Sequence, residues 1–62
     1  MIVIAVCVDG PSSKWTDDGD EVPEWLVYTT DEHGNDLGEY YYCDTYHAAI
    51  TLGRQIAHDR HL

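Results

Sequence analysis

Positive charge is scarce in this chain. Lys14, Arg54 and Arg60 are its only fixed cations, set against twelve acids in 62 residues. Direct binding of DNA or RNA needs a basic face, and three scattered cations do not make one. Phenylalanine is absent, and cysteine occurs only at positions 7 and 43. Two cysteines allow one bridge at most, so this is not a disulfide scaffold. Both lie in apolar stretches, where a free thiol behaves as a small hydrophobe, and a reducing cytosol is the expected compartment. No apolar run approaches the roughly 20 residues of a spanning helix. The longest covers residues 2–8, with no basic residue before it and Asp9-Gly10-Pro11 after it. It is expected to be a strand rather than a signal peptide, and no membrane contact follows from it.

What is present points to one small folded domain, residues 1–62. The apolar fraction is 44%, with two Trp and five Tyr, too much for a wholly disordered acidic chain. A chain of this size buries roughly 60% of its unfolded surface, near the lower limit for unaided folding. Residues 2–8 have no polar position, which predicts a strand covered on both faces or central. Residues 10–24 show no periodicity and read as an acidic surface loop. Residues 25–30 and 37–43 have strand composition. They flank a Gly-Asn turn signal at Gly34-Asn35, which predicts an antiparallel hairpin. Alternation puts Tyr40 and Tyr42 on one face and Glu39, Tyr41 and Cys43 on the other. Trp25, Tyr28, Tyr41 and Tyr46 are the expected aromatic core.

A helix is expected after a cap at Asp44 or Thr45. Tyr46, Ala49, Ile50, Gly53, Ile56 and Ala57 form its apolar stripe at i, i+3, i+4, i+7 spacing. The small residues suit close approach to a sheet, and this would account for Gly53. The predicted fold is therefore α+β in β-β-β-α order. A three-stranded antiparallel sheet carries one C-terminal helix on one face. The other face needs a cover, from the 10–24 loop, a partner or a second copy of the chain, and the apolar Ile2, Ile4, Val6 and Val8 raise the expectation of an interface or a homodimer.

The charge is unevenly placed. Residues 1–44 hold eleven acids and one base, whereas residues 45–62 hold one acid and two bases. Asp17, Asp18, Asp20, Glu21 and Glu24 form one cluster. Asp31, Glu32, Asp36 and Glu39 form a second around the predicted hairpin. Such a field speeds association with a basic partner and penalises acidic ones. Self-repulsion on this scale works against a marginal core, so a binding role is a better reason for it than solubility alone.

Metal and catalytic patterns are incomplete. The spacing of Asp31, His33 and Asn35 approaches a calcium loop, but Asp36 stands where glycine belongs. Cys43/His47 and His58/His61 are helical pairs on the order of 15 Å apart, too far for one zinc ion. Cys43 with His47 is the only nucleophile–base candidate, and Asp44 is its neighbour, but adjacency in sequence does not make a triad. The expectation is a non-enzymatic protein without cofactor or metal.

In size, acidity and lack of a catalytic set, the chain resembles small acidic inhibitors from phages and mobile elements. These are the anti-CRISPR proteins and the DNA mimics directed at restriction enzymes. The resemblance spans the whole chain in composition and has no diagnostic motif. It implies a cytoplasmic inhibitor that blocks the DNA or RNA groove of a basic protein, such as a CRISPR effector subunit or a restriction nuclease. Carboxylates would then stand where phosphates lie: Asp17, Asp18, Asp20, Glu21, Glu24, Asp31, Glu32, Asp36 and Glu39. Tyr40, Tyr42 or Trp15 would anchor the contact. The alternative is a self-associating structural or regulatory module that uses the spare apolar sheet face.

Overall fold

The computed structural model describes residues 5–62. Three strands, β1 (Ala5–Trp15), β2 (Glu21–Thr30) and β3 (Asp36–Cys43), precede one helix, α1 (Tyr46–Asp59). The strands form one antiparallel sheet in the order β1-β2-β3. The α+β class and the β-β-β-α order follow the sequence expectation.

Two expectations about the strands need correction. The first concerns residues 10–24, which do not form a loop. β1 continues to Trp15 and β2 begins at Glu21, so only residues 16–20 connect them. The signal lay in the turn. Within Thr16-Asp17-Asp18-Gly19-Asp20, the Thr16 amide donates to the Asp20 carbonyl (2.9 Å), and the Gly19 amide donates to the Thr16 carbonyl (3.0 Å). The Thr16 hydroxyl accepts from the Asp20 amide at 3.2 Å. Asp31-Glu32-His33-Gly34-Asn35 repeats this pattern between β2 and β3. The Asp31 amide donates to the Asn35 carbonyl, and the Gly34 amide to the Asp31 carbonyl. Both glycines have positive φ, +85° at Gly19 and +80° at Gly34. An L side chain rarely adopts that backbone.

The second correction concerns β1, which is an edge strand rather than a central one. Short consecutive hairpins leave the first strand at the border. Residues 2–4 of the apolar run, with Ile2 and Ile4 of the expected dimer surface, lie outside the described residues. Val6 and Val8 of that surface turn toward the helix and pack on its core. The register shifts between Asp9 and Ser12, where Gly10 has φ +136°. A Cβ on Gly10 would lie 3.1 Å from the Glu24 carbonyl oxygen and 3.2 Å from the Trp25 ring. Glycine is therefore required at this bulge. Pro11 follows it on an edge, where a missing N–H disrupts no central ladder.

The core is small. Val27, Ala49 and Ile56 are buried, with Val6, Val8, Trp25, Cys43 and Leu52 packed around them. Thr45 caps α1, its side chain accepting from the Ala48 amide. Ala49, Gly53 and Ile56 form the buried part of the predicted stripe. Tyr46 is 55% exposed, yet its ring meets Trp25 edge-on at 4.9 Å. Close approach does not account for Gly53. A Cβ there would meet Val6 and Val8 at 3.5–3.6 Å, an ordinary contact distance. Its helix-propensity cost of about 1 kcal/mol has no steric necessity behind it.

The helix covers only the half of the sheet where all three strands pair. The other half of the β1–β2 hairpin, residues 12–24, has no β3 partner and extends as an arm. The molecule measures 40 × 20 × 14 Å, with a Cα radius of gyration of 12.9 Å. A compact chain of this length has about 11 Å.

Candidate functional site

The two sheet faces differ in chemistry. The helix-facing side carries Val6, Val8, Trp25, Val27 and Cys43. By alternation the opposite side carries three ranks: Ala5, Thr30 and Asp36; Cys7, Tyr28 and Tyr40; Asp9, Leu26 and Tyr42. No described element covers this second face. Tyr40 is 45% exposed and Tyr42 64%. Tyr28, expected in the core with Trp25, stands here instead. It is even-numbered on a strand whose odd positions Trp25 and Val27 meet the helix. Cys7 and Cys43 are both free and half-buried, and they lie on opposite faces.

Polar contacts order the open face. The Tyr40 hydroxyl donates to the Asp36 carboxylate, which also accepts from the Gly38 amide at 2.8 Å. These bonds, Tyr40 first, hold Asp36 below the ordinary aspartate value and raise the Tyr40 phenol. Tyr28 is raised as well, mainly by the adjacent Cys7 and more weakly by Asp9 and Asp36.

The predicted acidic residues divide into free and engaged groups. Asp17, Asp18, Asp20 and Glu21 stand exposed at the arm tip. Trp15, 70% exposed, stands beside them and pairs in register with Glu21. Glu32 is exposed at the other turn. Glu24 pairs with Lys14 at 3.5 Å, and Lys14 also reaches Asp44 at 3.2 Å. Asp31 is 4% exposed. Its Oδ1 accepts from the amides of His33 (2.8 Å) and Asn35 (3.0 Å), which makes it the clamp of its turn. Glu39 faces the helix side and receives Arg60 through two nitrogens, at 2.7 and 3.2 Å. Nothing in the local sequence of Arg60 announces a partner 21 residues away.

These contacts shape the electrostatics. Two of the three cations are neutralised by carboxylates within the fold. The predicted acids that stay free gather at the arm tip; at the other end of β2, about 30 Å away by strand rise, Glu32 lies 3.6 Å from the His33 imidazole. Among the described residues, no three His, Cys, Asp or Glu side chains gather as a metal site. No described helix is long and apolar enough to cross a membrane.

The Glu39–Arg60 pair gives a pH prediction. The Arg60 hydrogen bonds, the largest cause, hold Glu39 below its ordinary 4.5, against the opposing effect of burial. A depressed carboxylate contributes stability above its unfolded value, and that contribution is lost as pH falls through the folded value. Glu39→Gln is therefore expected to lower the melting temperature at neutral pH. The gap from wild type should begin to close below about pH 4.5 and vanish in stronger acid. Melting curves from pH 7 to pH 2 check this; a gap constant with pH would show that the pair has no electrostatic role.

Comparison with protein-family models, with curated proteins and with solved structures finds no match for this chain.

Proposed function

We propose that the chain is a non-enzymatic acidic inhibitor that binds a basic nucleic-acid-binding protein and occupies its DNA or RNA groove. The observation that carries this reading is the projecting arm. A two-stranded ribbon leaves the helix-covered body and ends in Asp17, Asp18, Asp20 and Glu21, with Trp15 exposed beside them. A narrow anionic ribbon suits a cleft built for a polyanion, and the aromatic residue supplies rigid contact area at its end. The neutralised Lys14 and Arg60 leave little positive charge to oppose the approach. The open tyrosine face offers bases a surface to stack on, but net charge −9 repels the phosphates that would accompany them. A protein partner fits better. Restriction nucleases and CRISPR effector subunits have grooves of the required sign, and a cytoplasmic site of action goes with such a target.

The test is titration of the chain against such proteins, with duplex DNA or guide RNA as competitor. Affinity is expected to fall by about an order of magnitude between low and physiological salt, as it does when charges are paired across a wet groove. Replacing Asp17, Asp18 and Asp20 together by Asn should slow association several-fold without unfolding the chain. An affinity indifferent to salt would end the groove-mimicry reading.

Self-association is the second reading, and the uncovered sheet face favours it. Its surface is tyrosine-rich rather than the aliphatic one expected from sequence, since Val6 and Val8 serve the core. Sedimentation as a monomer at micromolar concentration would dismiss it.

A further inference from the structure

We propose that the open sheet face receives arginine side chains of the basic partner in preference to lysine. This rests on reading the chain as a ligand for a basic protein, and it identifies which chemistry the face reads. Tyr28, Tyr40, Tyr42 and Leu26 form a half-apolar surface, with Asp36 in its first rank and Asp9 in its last. Neighbouring strands stand about 4.8 Å apart, and successive same-face residues about 6.8 Å. Asp9 therefore lies roughly 10 Å across the sheet from Tyr42, within the span of an arginine and the ring it covers.

The preference follows from the two cations. A guanidinium is flat, weakly hydrated and rich in donors at its edge. It lies on a phenol ring while its N–H groups reach a carboxylate, and its methylenes rest on Leu26. An ammonium is a compact, strongly hydrated charge that gains little from a ring. The exposed acids at the arm tip serve it as well as this face does. Tyr40 is already fixed by Asp36, so its ring loses little freedom when covered. A second copy of the chain would cover the same face but fits it less well than an arginine-bearing partner, because stacking two such faces brings Asp9 and Asp36 of both copies together.

The experiment titrates the full chain with an alternating Arg-Gly peptide and with a Lys-Gly peptide of equal length and charge, in the same moderate salt. The arginine peptide is expected to bind about fivefold more tightly or better, the effect of one to two cation–ring contacts. Tyr42→Ala, at a position 64% exposed, should bring the two affinities to within about twofold and leave the melting curve unchanged. Asp18→Asn at the arm tip should weaken both peptides alike and preserve the preference. Equal affinity of the wild type for both peptides overturns the arginine assignment and leaves the charge-driven reading standing. Binding of neither peptide overturns both.

Discussion

Val27→Ala should lower the melting temperature by about 10–20 °C. Val27 is fully buried at the centre of β2 and packs among Ala49, Ile56, Val6 and Val8. Removing two methyl groups there forfeits their transfer energy and leaves a gap, on the order of 2–3 kcal/mol together. A domain of this length has only about 3–9 kcal/mol of stability. One such change removes about a fifth of it at the least, and each kcal/mol shifts a small domain by about 4–8 °C. Among the described residues only three apolar side chains are buried, so their neighbours have little freedom to close over the gap. Thermal unfolding followed by circular dichroism measures the effect. A shift under about 4 °C would place the centre of stability elsewhere.

Asp31→Ala is the second large effect, and it separates a structural acid from a surface one. Asp31 is almost fully buried, and its carboxylate holds the amides of His33 and Asn35. Alanine leaves both donors without their partner in the β2–β3 turn, at a cost of about 1–3 kcal/mol. Asp18→Asn, on the solvent-exposed arm tip, should stay within about 0.5 kcal/mol. Denaturant titration of the two variants makes the comparison. Equal stability would mean that the Asp31 turn is not held by its side chain. The contrast also bears on function. Loss of partner binding in Asp31→Ala would report unfolding of the turn, whereas loss in Asp18→Asn would report lost contact.

The element order was legible because each element has a strong local signature. The Trp25–Thr30 run is bounded by polar turn residues, and the helix stripe from Tyr46 to Ala57 has a single period. The tyrosine alternation also read correctly, placing Tyr40 and Tyr42 away from Glu39, Tyr41 and Cys43. Residues 10–24 misled because the outer arm has no buried face, so neither of its strands alternates. Their pairing shows only through the turn pattern Thr16-x-x-Gly19-Asp20, the same pattern as Asp31-x-x-Gly34-Asn35. The acidic clusters were visible as charge but not as geometry. Local sequence does not show that Asp31 points inward or that Glu39 meets Arg60 from the far end of the helix. Composition reports how many carboxylates exist. Only the fold reports which of them have spare lone pairs.

The arm tip has a consequence for how the protein can change over generations. Thr16 and Gly19 build that turn through backbone hydrogen bonds, the Thr16 hydroxyl and a positive φ, while the side chains of Asp17, Asp18 and Glu21 make no hydrogen bond or ion pair among the described residues. Selection can therefore rewrite those three positions without risking the fold. At the opposite end of the sheet, Asp31 and Asp36 are bound to structural duty and leave little such room. Under the groove-binding proposal, a change in the partner's groove could be answered at the arm by single substitutions, trading side chains at an end that folding does not constrain.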